Sequence, residues 1–247
     1  MGPFTRLWVR SVLVVTTVIG GAALLGFVGF LLMGPLVGIS LGLDPVSLLF
    51  FDGALCLGFF VQHSVMIRKS FRLSLSRFCP QHFHGAVYAV ASGLVLLALV
   101  ILWQESGQTL LSLDGGLRLL ARLASGLALL GFVWGVSSLR GFDTFGLRPI
   151  KARLRGKDVP NDGPIVIKGA YRWVRHPLYF LMLVLFWSFP DLTSDRLLFN
   201  LSWTGWVVVG TYLEERDLVA KFGDAYLDYQ AKVPMLIPWK RGYIPLH

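Results

Sequence analysis

Cysteine, acidic residues and extended polar sequence are all scarce in this chain, and each shortage removes a class of answer. Only two of the 247 residues are cysteine. Cys56 lies inside an apolar run, Cys79 lies in a basic loop, and neither has a Cys-x-x-Cys partner, which argues against a disulfide framework. Charged residues make up 15% of the chain, with 14 acidic against 23 basic side chains and a formal net charge of +9. The basic residues follow the apolar runs and form no separate basic domain with aromatic readers, so nucleic acid is not the expected partner. There is no internal repeat, no low-complexity tract and no polar stretch of the size of a soluble domain. The longest, about Arg140 to Arg175, is punctuated into turns by Gly146, Pro149, Gly156, Pro160, Asn161-Asp162-Gly163-Pro164 and Gly169, and is expected to fold over the inner mouth.

What is abundant is apolar sequence. Hydrophobic residues are 55% of the chain, the composition of an integral membrane protein. Apolar runs extend over roughly Val12 to Ile39, Val46 to Ile67, Phe83 to Trp103, Leu117 to Leu139, Leu178 to Phe189 and Leu197 to Leu213. A bilayer crossing needs about 20 residues, which the first four supply and the last two do not. As a helix Leu178 to Phe189 would reach only roughly 18 Å. The first run follows Arg6 and Arg10 as a signal peptide would, but it exceeds the roughly 7–15 residues of a cleavable core and reads as a retained helix. The expected fold is an all-α integral membrane protein, a bundle of about five to six transmembrane helices with a cytoplasmic C-terminal cofactor-binding segment. It forms one domain over 1–247, with N-terminal helices over 1–139 and a cytoplasmic loop, helical hairpin and C-terminal segment over 140–247.

Six passes put every Lys and Arg except Arg118, Arg122 and Arg196 on one side, and the opposite loops Ser40 to Pro45 and Gln104 to Gly116 contain none. The positive-inside rule then predicts both termini in the cytoplasm. Arg148, Lys151, Arg153, Arg155 and Lys157 are expected to meet anionic lipid headgroups.

Two polar motifs stand at the inner ends of the last two runs: Tyr171-Arg172-Trp173-Val174-Arg175-His176-Pro177-Leu178-Tyr179 and, about 35 residues on, Glu214-Glu215-Arg216-Asp217-Leu218. The hairpin between them brings both to one place, where a polar cofactor can be held. Proline suits the first helical residue and disfavours helix before it, so a helix starting at Pro177 leaves Leu178, Tyr179 and Phe180 with free N–H groups for a carboxylate. Arg175 and His176 join that site or simply mark the membrane boundary. Glu214 and Glu215 diverge by about 100° on a helix, so one binds a ligand while the other orients an arginine, or both form a solvated helix end. The second helix continues to Phe222, ends at Gly223, and is followed by a short helix, capped by Asp224, that carries Tyr226 and Tyr229 on one face. Tyr171, Trp173, Tyr179, Tyr226 and Tyr229 offer rings to a flat or cationic ligand, or anchor the interface.

Farther upstream, Gln62, His63 and Asp143 are expected near the same membrane face. A neutral imidazole can take a thiol proton, which makes His63 the candidate base, with Asp143 orienting it. The bland alternatives are a helix-end histidine bonded to Gln62 and an aspartate that caps a turn. His82 and His84 lack a third ligand at a recognisable spacing, so no metal is expected.

Together with Val233-Pro234-Met235-Leu236-Ile237-Pro238, the two polar motifs resemble the C-terminal signature of the isoprenylcysteine carboxyl methyltransferase superfamily. Gln62-His63-Ser64-Val65-Met66, Phe142-Asp143-Thr144-Phe145-Gly146-Leu147-Arg148 and Phe186-Trp187 look like its bacterial methanethiol S-methyltransferase branch, and the likeness covers most of the chain after about Phe50. Where that branch carries an acidic-basic-hydroxyl turn, this chain has Gln81-His82-Phe83-His84-Gly85, so the acceptor pocket is expected to differ. The resemblance implies an enzyme of the bacterial inner membrane that uses S-adenosylmethionine, without a Rossmann domain or a metal. It assigns the cofactor to Tyr171, Arg175, His176, Pro177, Leu178, Tyr179, Glu214, Glu215, Tyr226 and Tyr229, and catalysis to His63, His176, Asp143 and Gln62. Glu215 would grip the ribose or ammonium end, and Arg175 with the Pro177 helix start the carboxylate. The implied acceptor is a small thiol such as methanethiol, attacking the sulfonium methyl in line. Rival readings are a methyltransferase for a lipid amine or prenyl-cysteine carboxylate, and a non-catalytic transport or assembly protein. Ionisable residues gather at the inner helix ends and leave the span centres apolar, which favours an enzyme over a transporter.

Overall fold

The computed structural model describes residues 3–36, 38–139, 143–157, 165 and 167–239. Parts of the polar segment expected over the inner mouth, 140–142, 158–164 and 166, lie outside the described residues. Among the described residues the chain is a mostly helical membrane protein with one minimal sheet. It divides into two compact units, 1–106 with 143–161 and 107–142 with 162–247.

The first unit contains α1 (Pro3–Met33), α2 (Pro45–Met66), α3 (Lys69–Leu75), α4 (His84–Leu102) and α6 (Arg148–Leu154), with a 3-10 turn Gln81–Phe83 leading into α4. Helix α1 stops at Met33, short of the expected Ile39, where Gly34 adopts φ 86° and Pro35 follows. Asp44 starts α2 by accepting the N–H groups of Val46 and Ser47 at 3.0 and 3.2 Å, with Pro45 as the first helical residue. α1 and α2 both pack on α4. At one end Gln104 fastens the 39–41 loop: its amide accepts from Leu41 N and donates to Ile39 O, while its own backbone N–H reaches the buried Asp52 at 3.0 Å. At the other, Val9, Phe83, Ala86, Leu147 and Ile150 form a small core. Gly146, at φ +64°, there lies so close to Gly85 that a Cβ on Gly85 would sit 2.7 Å from the Gly146 Cα.

The second unit contains β1 (Thr109–Ser112), α5 (Gly115–Ser138), a 3-10 turn Gly169–Arg172, α7 (Pro177–Trp187), β2 (Asp191–Thr193), α8 (Ser194–Phe222) and α9 (Asp224–Lys232). α7 packs on α5, and Phe186, Phe199 and Trp203 fill the α7–α8 contact with ring centroids 5.2–5.7 Å apart. The antiparallel β1–β2 pair, Thr109 against Thr193 and Ser112 against Asp191, is a feature the apolar pattern does not announce.

Among the described residues four helical stretches are long and apolar enough to cross a membrane: Leu7–Met33, Pro45–Met66, Gln81–Leu102 and Gly115–Ser138. These match the first four expected passes. α7, at 11 residues, is too short. α8 has length to spare at 29 residues, but Asn200, Ser202, Thr204 and Thr211 dilute its apolar middle, and Asp195 with Arg196 occupies its start. Of the last two expected passes, α7 is a short, mostly half-buried helix and α8 a long one with a diluted apolar middle.

Candidate functional site

The sequence rules at the two motifs act as expected on the backbone. α7 begins at Pro177 with His176 as its cap, and α8 runs through Glu214 and Glu215 to Phe222, where Gly223 breaks it at φ +57°. Asp224 is the first residue of α9 and makes no capping bond; Gly223 holds the cap position. Residues 175–176 pair with an extended stretch after α9, Arg175 N–H to Pro234 O at 2.9 Å and His176 N–H to Met235 O at 3.1 Å. The C-terminal Val-Pro-Met segment is thereby laid beside the start of α7.

Glu215 is the hub of this assembly. Arg175 grips it through Nε to Oε1 at 2.8 Å and Nη2 to Oε2 at 2.7 Å. His176 Nε2 donates to Oε1 at 2.7 Å and the Tyr226 hydroxyl to the same oxygen at 2.8 Å, while the Gln230 amide donates to Oε2. Burial alone would raise this carboxyl, but the hydrogen bonds from His176, Arg175, Gln230 and Tyr226 outweigh it and hold the group far below the ordinary carboxylate range. Arg175 also donates Nη1 to the Gln230 and Val233 carbonyls. Its guanidinium is committed inside the protein.

Glu214 has a different setting. Its side chain is 43% exposed, Tyr179 donates its hydroxyl to Oε2 at 2.8 Å, and His176 Nδ1 lies 3.8 Å from that oxygen, close enough for attraction but not for a bond. The His176 and Tyr179 rings stack in parallel, 5.5 Å between centroids. Tyr171 borders the group with a half-buried ring, its phenol pushed up to about 12 by burial and by the charge of Glu214.

Two expectations need correction. Tyr226 and Tyr229 offer no face to a ligand: both are buried, in a core with Val233. Their hydroxyls bond to Glu215 and to the Tyr171 carbonyl, and burial raises both phenols above their ordinary value. The Phe180 N–H is taken by His176 O at 3.1 Å, which removes it from the predicted trio. Leu178 itself packs on α5 so closely that a Cβ on Gly135 would meet it at 2.7 Å. Gln230, which supplies one of the five bonds to Glu215, went unnoticed in the sequence, although it lies one turn after Tyr226 on α9.

Gln62, His63 and Asp143 belong to the first unit. Asp143 caps α6, accepting the Leu147 and Arg148 N–H groups at 2.9 and 2.7 Å. His63 bonds through Nε2 to the Tyr88 hydroxyl at 2.7 Å, and Gln62 Nε2 donates to Ser92 Oγ at 3.2 Å and to Met66 Sδ at 2.9 Å. Tyr88 and Ser92, one helical turn apart on α4, were not singled out by sequence reasoning. His84 is bonded to the Cys79 carbonyl at 3.0 Å and His82 packs on Phe83. Among the described residues no group of three or more His, Cys, Asp or Glu is placed to hold a metal.

Apolar helices of spanning length define an integral membrane protein, and its second unit carries a polar hub where α7 starts and α8 ends. The profile of the family described as "Protein of unknown function (DUF1295)" matches residues 81–233. Among curated proteins the chain is similar to methanethiol S-methyltransferase of Pseudomonas deceptionensis, 37% identical over 78% of this chain and 74% of the relative. It is also similar to that of Mycobacterium tuberculosis, 36% identical over 73% and 74%, and to that of a Pseudomonas species, 36% identical over 76% and 72%. No solved structure matches. The chain belongs to this family of membrane S-methyltransferases.

Proposed function

We propose that this protein methylates a small thiol of the methanethiol type, with S-adenosylmethionine as donor. The name its relatives carry, methanethiol S-methyltransferase, supports the reaction and acceptor. The observation that carries the donor assignment is the meeting of two distant motifs on one carboxylate, Glu215, beside a second carboxylate, Glu214, that stays open.

The residues present fit this donor. Its ammonium or ribose diol needs an anionic or accepting group, and Glu214 supplies one with 43% of its side chain exposed. Its carboxylate suits the start of α7, where Pro177 is the first helical residue and the Leu178 N–H lies in the first turn. Its flat base and its cation suit an aromatic face, which the half-buried Tyr179, stacked on the buried His176, provides. S-adenosylmethionine, when bound, supplies a methyl group on a sulfonium that a thiol sulfur can take. Glu215 and Arg175 act as positioning residues: they fix α8, α9 and the start of α7 relative to one another, and Tyr226, Tyr229 and Gln230 support them from α9. His63 receives the acceptor's S–H proton, which turns a poor nucleophile into a thiolate. Its bond to Tyr88 sets the ring orientation. Asp143 holds α6 in place.

The distribution of Lys and Arg supports both termini on the cytoplasmic side of a bacterial inner membrane, where a polar donor is available to the motif-bearing helix ends. Calorimetric titration of the folded, detergent-solubilised protein with S-adenosylmethionine and its demethylated product tests the donor site. Saturable binding that Glu214→Ala and His176→Ala weaken is expected. Silence from folded wild-type protein would remove the assignment.

A further inference from the structure

Gln62 makes an unusual pair of contacts for a carboxamide in an apolar helix. Its N–H group donates to the thioether sulfur of Met66 at 2.9 Å and to Ser92 Oγ at 3.2 Å, while its Oε1 is buried and has no hydrogen-bond partner among the described residues. The orientation is fixed chemically, because a thioether can only accept and so must face the NH2 side. A divalent sulfur is a weak acceptor, and a half-satisfied amide in a membrane helix is kept at a cost in stability. Polar groups retained under those terms mark function more often than packing.

The end of the Met66 side chain is a sulfur bearing a methyl group, the same two heavy atoms as methanethiol. We propose that the Gln62 carboxamide is the acceptor-sulfur binding group, and that the substrate's CH3–S unit enters by displacing the matching end of Met66. This deepens the proposed function and rests on it: the substrate class becomes short alkyl thiols whose sulfur end is no larger than the group they replace. A thiolate accepts from an N–H far better than a thioether does, so the exchange favours the substrate at that contact. In its protonated form the thiol also brings an S–H donor for Oε1. Met66 is suited to leave, since it is the last residue of α2, is only half-buried and has three rotatable side-chain bonds. Gln62 bonds to Ser92 and the adjacent His63 to Tyr88, one turn earlier on α4, so the sulfur-holding group and the candidate base share one α2–α4 hydrogen-bonding network. Tyr88 is a positioning residue in this network.

Two measurements on the full chain in lipid nanodiscs test the proposal. The first needs no donor: with 13C-methyl methionine, the Met66 resonance, assigned by its loss in Met66→Leu, is followed during titration with methanethiol and with dimethyl sulfide. A saturable shift supports the site, and a resonance unmoved by either overturns it. The second is kinetic. Gln62→Leu is expected to raise KM for methanethiol about tenfold or more with kcat and donor affinity little changed, and Met66→Ala to improve propanethiol relative to methanethiol by about tenfold. Unaltered KM and unaltered thiol selectivity in an active enzyme would overturn the proposal. A wild-type protein that binds no donor would instead defeat the proposed function, and the methionine resonance would still decide the sulfur site by itself.

Discussion

Arg175 closes on Glu215 through two parallel charge-assisted bonds, 2.8 and 2.7 Å long, with both side chains more than nine-tenths buried. Such a fork is strong and directional, and removing one partner strands the other charge away from water. Arg175→Ala and Glu215→Ala are each expected to destabilise the protein by about 3–5 kcal/mol. The double variant should cost clearly less than the sum. Thermal unfolding of the four proteins in one detergent measures the coupling, and strict additivity would show that the pair does not act as a unit.

Acid should weaken the same hub. The folded-state pKa of Glu215 lies below its ordinary value of 4.5, so its stabilisation is fully present above that value and is lost as pH falls towards the folded one. The melting temperature is expected to hold from neutrality down to about pH 5 and to decline below it. Glu215→Gln should start lower and show a shallower acid decline. An acid limb identical to that of the wild type would place the titrating group elsewhere.

Glu214 should separate binding from stability. Because its carboxylate is 43% exposed and tied only to Tyr179 by a short bond, Glu214→Gln is expected to leave stability within about 0.5 kcal/mol. Donor affinity should fall about tenfold or more. Equal losses at Glu214 and Glu215 in both assays would erase the distinction drawn between them.

The β1–β2 end of the second unit supplies a control. Arg118 meets Asp191 at 2.5 Å, but the side chains are 39% and 32% exposed, so Arg118→Ala should cost no more than about 1 kcal/mol. Donor affinity and methyl transfer should be unchanged, as measured by calorimetry and a product assay. A large loss of transfer would extend the site to that end of the unit.

The sequence disclosed what is local and withheld what is assembled at a distance. Four spans are legible because a bilayer demands an unbroken apolar run, and the helix start at Pro177 and stop at Gly223 are legible because proline and glycine act on their own backbone. α8 misleads for the opposite reason, since its apolar middle looks like a short pass although the helix runs on through polar residues at both ends. The two-glutamate motif announced a polar site, yet nothing local says that five donors converge on Glu215 and leave Glu214 open. That choice depends on α9 docking, which turns Tyr226 and Tyr229 inward. Tyr88 and Ser92 hide in an apolar helix, and only their one-turn spacing hints at a shared face with His63 and Gln62.

Transfer of label from methyl-labelled S-adenosylmethionine to methanethiol, catalysed by the purified protein in nanodiscs, tests the central claim most directly. Labelled dimethyl sulfide is expected from the wild type, with strong loss in Glu214→Gln and His63→Ala proteins that remain folded. Undiminished dimethyl sulfide from both variants, or none from folded wild-type protein that binds the donor, would contradict it.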